Sequence, residues 1–423
     1  MARKHSLLLL AALLLSRPLA AQESGVETPR VFQRYGDQVV KVQVIETGSS
    51  AKASVGSGFF VSAAGDIVTN YHVIAQLVHD PDRYRAELVD AAGGTHGVAL
   101  VAIDVVYDLA LLRADTDARP ARYFTLGAAS VAQGTRLYAL GHPGDLGLSI
   151  VEGTFNGLLR HTLYPKIHFT GSINPGMSGG PTITHDGRVI GINVSTAGNQ
   201  LSFLVPVERA VALVERAKGE PAAQPTDLLA QVGRQIVAYQ NAYLDGMFAG
   251  EGKTVELGPY RVPTEPAAFF RCWGSAPRRP ELTYEKVTHS CSTDDYLFIA
   301  GEQESGVVDL THELITTTSL NPFRFGALYS SMFGADNTPA GREEHVTSWR
   351  CSTRNVRNAT TPLRAALCVR RYRKLDGLYD AVLQTAVLGR RDSGLVSTLT
   401  LSGVSYENVA ALTSRLLERI TWR

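Results

Sequence analysis

Between Val39 and Val207 the chain is a succession of short apolar and alternating runs: Gln38–Val44, Ser57–Val61, Ile67–Asn70, Ala86–Val89, Leu109–Arg113, Arg136–Leu140, Arg188–Val194 and Ser202–Val205, separated by Gly, Asp, Asn and Pro. Such runs with regular turn signals predict strands, and many short strands in series predict a barrel or a sandwich. From Val207 to Lys218 the apolar spacing changes to that of a helix. Two prolines follow in Gly219-Glu-Pro-Ala-Ala-Gln-Pro225, placing a linker over 218–226. Beyond it the pattern predicts a helix from Asp227 to about Phe248, then strand-like runs alternating with turns. A closing helix has Val409, Leu412, Leu416 and Ile420 on one face behind the N-cap candidate Ser405. Residues 227–423 therefore read as an α+β module, and nothing in them reads as catalytic.

The N-terminus follows a different pattern: basic at Arg3 and Lys4, apolar from Leu7 to Leu15, then Pro18-Leu-Ala-Ala21. This is the layout of a secretory signal peptide over residues 1–21, its apolar core about half of the roughly 20 residues that span a bilayer. Export to a bacterial periplasm or the extracellular space is expected, with no membrane span after cleavage. Removing Arg3, Lys4 and Arg17 from the 41 basic residues leaves 38 against 40 acidic ones, a net charge of −2 with no like-charged block. That balance argues against a nucleic-acid or anionic-membrane partner. The four cysteines, Cys272, Cys291, Cys351 and Cys368, all lie in the second half. An oxidising compartment predicts two disulfides. Of the three possible connectivities the sequential one, Cys272–Cys291 and Cys351–Cys368, closes short loops between strand-like runs. Zinc is disfavoured because no pair has close Cys spacing, and His96, His161, His168 and His185 lack a paired carboxylate at metal-ligand spacing. No metal or other cofactor is implied.

Three segments of the first half carry chemistry when taken together: Thr69-Asn-Tyr-His72-Val, Asp108-Leu-Ala-Leu-Leu112, and Gly171-Ser-Ile-Asn-Pro-Gly176-Met-Ser178-Gly-Gly-Pro181. Serine is a poor nucleophile at neutral pH. Acyl transfer needs a histidine to take its proton and a buried carboxylate to fix the tautomer and stabilise the imidazolium. His72, Asp108 and Ser178 supply those roles, each expected at the end or edge of a β run. The glycines around Ser178 let two backbone N–H groups, those of Gly176 and Ser178, converge on an oxyanion.

With these residues in view, Glu27 to Ala217 resembles the trypsin-like serine proteases, most of all the bacterial HtrA/Deg branch. The likeness includes Gly56-Ser-Gly-Phe-Phe-Val-Ser62, Asp104 ahead of Asp108, Leu140-Gly-His-Pro143, and Phe203-Leu-Val-Pro206 before a helix. The resemblance implies an all-β double Greek-key barrel, two perpendicular six-stranded barrels with the triad between them, over residues 27–217, and endopeptidase activity on polypeptide substrates. By family position the substrate pocket falls at Ser172, Ile173, Asn193, Ser195, Thr196 and Ser202. None is charged, and Ile173 should narrow the slot, so small or medium aliphatic side chains are expected before the scissile bond. Two departures matter. Met177 stands where the HtrA branch usually has Asn and the trypsin group has Asp, so activation by ion-pairing a new N-terminus cannot operate. No PDZ pattern follows the first half. The rival reading is a catalytically weak pseudo-protease that binds protein or acts as a chaperone.

Overall fold

The period-two runs of the first half close into two antiparallel barrels of six strands each. A computed structural model describes residues 24–160, 162–218, 228–248, 252–293, 295–301, 303–334 and 338–422. The expected signal peptide and nearly all of the expected linker lie outside these residues. The first barrel comprises β1 (Val39–Glu46), β2 (Lys52–Phe60), β3 (Asp66–Thr69), β4 (Tyr84–Val89), β5 (Thr95–Asp104) and β6 (Leu109–Ala114), and closes by pairing β1 with β4. Alternation decides its core: Val40, Val42 and Val44 of β1 enter one apolar cluster with Leu88 and Leu112, while Val39 enters another. The second barrel comprises β7 (Arg136–Gly141), β8 (Ser149–Leu158), β9 (Ile167–Phe169), β10 (Pro181–Ile183), β11 (Val189–Thr196) and β12 (Ser202–Pro206). Phe59, Leu109 and Leu111 of the first barrel share a buried cluster with Leu140, Ile183 and Val205 of the second, which fixes the cleft between them.

Two helices of the first half, α1 (Ser24–Tyr35) and α2 (Tyr71–His79), were not legible as such. In α2 the buried residues Tyr71, Ile74, Ala75 and Val78 fall at i, i+3, i+4 and i+7, the spacing of a helix face. His72 therefore sits in the first turn of a helix that follows β3, where a strand end was expected. The helix expected after β12 is α3 (Val207–Arg216).

The second half is α+β. It opens with α4 (Leu228–Leu244), then β13 (Thr254–Leu257), β14 (Tyr260–Pro263), β15 (Phe270–Ser275), β16 (Glu285–Thr293), the hairpin β17 (Leu297–Ala300) and β18 (Gln303–Ser305), and β19 (Val308–Thr316). After α5 (Pro322–Ser331) come β20 (Arg350–Arg357), β21 (Pro362–Arg371), β22 (Leu378–Val387), β23 (Ser393–Ser405), α6 (Tyr406–Arg419) and β24 (Thr421–Trp422). Seven of these strands form one antiparallel sheet in the order β15-β16-β19-β23-β22-β21-β20. Leu395 and Leu399 of β23 pack with Val409, Leu412 and Leu416 of α6 on one face, and Val396 meets Phe325 of α5 on the other. Ser405 caps α6, its Oγ accepting from Asn408 N at 3.2 Å. Cys272 bonds to Cys291 and Cys351 to Cys368, each pair directly opposed on neighbouring strands.

The two halves share a core. Leu228, Val232 and Ile236 of α4, with Ile299 and Leu378, join the cluster of Val40, Tyr71 and Ile74. Gln235 of α4 accepts from Val105 N at 2.8 Å and donates to Ile103 O at 3.0 Å, so a side chain of the second half completes the backbone bonding where β5 ends.

Candidate active site

Asp108 opens β6 from a turn it can hold only under constraint. Its φ is +52°, a left-handed conformation rare for a residue with a Cβ and costing about 1–3 kcal/mol. The surroundings over-determine it: its carbonyl accepts from Asn70 Nδ2 at 2.7 Å and Tyr71 N at 3.1 Å. In that pose the buried carboxylate grips His72 twice, Oδ1 accepting from the backbone N at 2.8 Å and Oδ2 lying 2.6 Å from Nδ1. The second contact leaves Nε2 toward the cleft. Burial is the largest influence on the imidazole and opposes its charge, but the Asp108 charge and hydrogen bond together outweigh it and raise the His72 pKa above its ordinary value. The His72 side chain keeps 28% of its surface exposed, so the ring is reachable. Asp104, four residues earlier, accepts from Tyr107 N at 3.2 Å and Arg216 at 2.7 Å, tying the same turn to α3.

The Ser178 loop is fixed from both barrels. Ser57 N donates to Ser178 O at 2.7 Å, Gly179 N to Asn193 O at 2.9 Å, and Asn193 N to Gly180 O at 2.9 Å. A Cβ on Gly179 would meet Ser57 O at 2.2 Å and one on Gly180 would meet Leu140 O at 2.1 Å, so only glycine lets the loop lie this close. Peptide planarity then orients two N–H groups. Pro175 O accepts from Gly144 N at 2.9 Å, which turns the trans N–H of Gly176 the opposite way. Met177 O accepts from Gly180 N at 3.1 Å and Asn193 Nδ2 at 3.2 Å, which does the same for Ser178 N–H. Neither N–H donates to a protein group among the described residues. Ser178 Oγ donates to Val194 O at 3.5 Å, and no hydrogen bond joins it to His72 among the described residues; catalytic hydrogen bonds are often loose before substrate binds.

Three residues expected in the pocket are instead built into the second barrel. Ile173 is buried against Leu137, Phe169 and Leu204, because its backbone N is held by Ser202 Oγ at 3.0 Å and its side chain turns inward. Ser202 is fully buried by that bond, and Asn193 is buried by its amide bonds to Leu140 O at 3.0 Å and Met177 O. Ser172 is exposed. Ser195 and Thr196 do line a cavity of about 400 Å³ next to His72 and Asp108. Its far wall is Asp295, Tyr296, Leu297 and Phe298, so the second half, which carries no catalytic signature, reaches the site. Sequence reasoning also missed Ser57, although it stands in the quoted Gly56-Ser-Gly run. Its hydroxyl donates to Gly176 O at 2.7 Å and accepts from His142 N at 2.9 Å, bracing the loop. Burial, with the nearby Lys41 charge, lowers the His142 pKa to about 4, so this imidazole is neutral and packs.

His96 is held by two carboxylates, Asp90 at 3.1 Å and Asp117 at 3.2 Å, although its neighbours in sequence carry no metal-ligand pattern. Among the described residues one group of ligating side chains converges, Cys272, His289 and Cys291, and its two sulfurs are bonded to each other. No described helix is long and apolar enough to cross a membrane.

Comparison with known proteins agrees with this geometry. Residues 56–192 match the trypsin-like peptidase domain family. The chain is 33% identical over 214 residues to a probable periplasmic serine endoprotease DegP-like of Halomonas elongata, a match covering 47% of this chain and 44% of that protein. It is 32% identical over 213 residues to the mitochondrial serine protease HTRA2 of Bos taurus, covering 47% and 45%. The match thus spans less than half the length of these two relatives. Among solved structures, Deg5 is 30% identical, with 46% of this chain and 95% of that chain covered and a TM-score of 0.41. Within the first half, residues 56–192 thus match the trypsin-like peptidase domain family, and HtrA/DegP serine proteases are among the proteins the chain is similar to.

Proposed function

We propose that the chain is an exported serine endopeptidase acting on flexible or unfolded polypeptides through an acyl-enzyme on Ser178. The observation that carries this is the joint arrangement of a twice-gripped His72–Asp108 pair and the oriented N–H groups of Gly176 and Ser178, which donate to no protein group among the described residues. In the first step Ser178 Oγ attacks the scissile carbonyl carbon while His72 Nε2 takes the hydroxyl proton, and Asp108 stabilises the imidazolium. The carbonyl oxygen becomes an oxyanion, received by the N–H groups of Gly176 and Ser178. As the tetrahedral intermediate collapses, the C–N bond breaks and His72 gives its proton to the leaving amine. Water then repeats the sequence on the ester, releasing the acid and restoring Ser178.

Specificity follows from the cavity beside His72. Lys166 and Asp295 neutralise each other at 2.6 Å, Asp108 is engaged by His72, and the other walls are largely apolar. Uncharged substrate side chains suit it, whereas the narrowing expected from Ile173 does not arise, since that side chain lies in the barrel core. The periplasmic relatives and the N-terminal signal pattern support export. A fluorophosphonate probe tests the reading: it should label the wild type and spare Ser178→Ala. Absence of wild-type labelling, with the chain folded, favours the pseudo-protease.

A further inference from the structure

Asp295 to Ile299, which run into β17, are fastened to both barrels, although the residues that hold them stand 129 to 228 positions earlier in the chain. On the second barrel, Lys166 Nζ meets Asp295 Oδ1 at 2.6 Å, both side chains about 10% exposed, and Leu163 N donates to Asp295 Oδ2 at 3.1 Å. On the first, Tyr71 OH donates to Ile299 O at 2.8 Å. Tyr71 directly precedes His72. Between these anchors the Phe298 ring stands edge-on to the His72 ring, centroids 6.0 Å apart, and to Tyr71 at 6.3 Å. The segment therefore bridges the cleft at the catalytic histidine.

What it encloses is a chamber and not a plug. The cavity it shares with His72, Val106, Tyr164 and Val194 has a volume of about 400 Å³, within the range of ligand-binding clefts. Lys166 and Asp295 satisfy each other and the Asp108 carboxylate is taken up by His72, so a charged side chain entering the cavity would lose water and find its ionic groups already paired. Tyr296, 45% exposed, stands at the rim as an apolar body with a wet hydroxyl.

We propose that Asp295–Phe298 is a built-in wall of the substrate cleft, with Phe298 and Tyr296 as specificity-determining residues that select an apolar side chain of the polypeptide near the scissile bond. The proposal rests on the endopeptidase reading above. By it, the second half is part of the substrate site and not an appendage that only recruits or localises.

The experiment uses the full chain and a peptide series in which each position around the scissile bond carries Leu, Phe, Gly, Lys or Glu in turn. The wild type should prefer Leu or Phe over Gly by at least about tenfold at one position, the size expected for an apolar pocket. Phe298→Ala and Tyr296→Ala should lower that Leu-to-Gly ratio of kcat/KM by about tenfold, and Phe298→Leu should restore most of it. The leucine variant keeps the question answerable if Phe298→Ala does not fold. An unchanged ratio overturns the proposal, as does an equal fall for every peptide, which marks a merely structural part. An equal rise for every peptide also overturns it, marking an inhibitory plug. Fluorophosphonate labelling of the wild type separates the two readings: labelled protein with an unchanged ratio sinks the wall alone, whereas wild type that does not label sinks both.

Discussion

Removing the Asp295 carboxylate offers a sharp test of how the two halves are held together. In Asp295→Ala the Lys166 ammonium, about 10% exposed, loses its counter-charge, and the Leu163 N–H loses its acceptor. Breaking a buried ion pair from one side costs about 3–5 kcal/mol, and an orphaned buried N–H about 1–3. One carboxylate serves both groups, so the losses overlap and the larger figure governs. A local loss of about 3–5 kcal/mol results, which means opening roughly 100- to 4,000-fold more frequent, at a factor of ten per 1.4 kcal/mol. The measurement is amide hydrogen exchange at Leu163 and Leu297–Ala300, because local opening can be read without assuming that a chain of several parts unfolds in one step. Joint replacement Lys166→Met with Asp295→Leu should recover most of the protection, since an apolar pair pays no desolvation penalty. Exchange in Asp295→Ala equal to wild type, or a double variant as open as the single, would refute the reasoning.

Other predictions follow from the site. Ser178→Ala and His72→Ala should each lower kcat by about six orders of magnitude and Asp108→Asn by about four, as members of one unit; peptide hydrolysis within tenfold of wild type for any of them contradicts the assignment. Activity should rise with pH, since His72 must be neutral to accept a proton, and the kcat/KM profile should turn above the ordinary value of 6.5. The same raised pKa contributes to folded stability at low pH and loses that contribution as pH climbs through it, so a titration of His72 with its midpoint below the ordinary 6.5 would count against both statements. Gly176→Ala puts a Cβ 2.3 Å from His142 O at a φ of +95°, so the N–H must move; kcat should fall by about 10²–10³ with binding of substrate less affected. A KM effect alone would show that this N–H is not used.

The strands of the first half were legible because they are short, alternating and punctuated, although the pattern left barrel and sandwich open and the two barrels came from the family resemblance; the last helix was legible because Ser405 and its apolar stripe are local signals. The disulfides were legible for the same reason: cysteines flanked by strand-like runs at short separation face one another in a hairpin. His72 was placed one element wrong, since Tyr71-His-Val-Ile-Ala is apolar enough to pass for the end of a strand, and the helical spacing shows only when Val78 is included. The left-handed Asp108 leaves no mark in sequence, because its conformation is imposed by Asn70 and Tyr71 from another segment. The family positions of Ile173, Asn193 and Ser202 pointed at the right loops and the wrong side chains, which hold the barrel together. The wall at Asp295–Phe298 was invisible: its partners stand 129 to 228 residues away, and no periodicity encodes such a pairing.

The positions of the two disulfides bear on a hazard that comes with the proposed work. They lie at opposite margins of the seven-stranded sheet, one joining β15 to β16 and the other β20 to β21, so each outermost strand is tied covalently to the neighbour beside it. A sheet margin is a template for any extended chain that meets it, and a protein that handles unfolded polypeptides meets such chains continuously. β20 is mostly exposed and carries Arg350, Arg354 and Arg357, charges that discourage a newcomer from adding on. If β20 peeled away, it would uncover the largely buried β21 behind it, where the apolar run Ala365, Ala366, Leu367 and Val369 lies between the exposed Arg364 and Arg371. The cross-links keep β15 and β20 outermost, so that on the proposed function a chain arriving for cleavage does not meet a freshly uncovered strand to pair with.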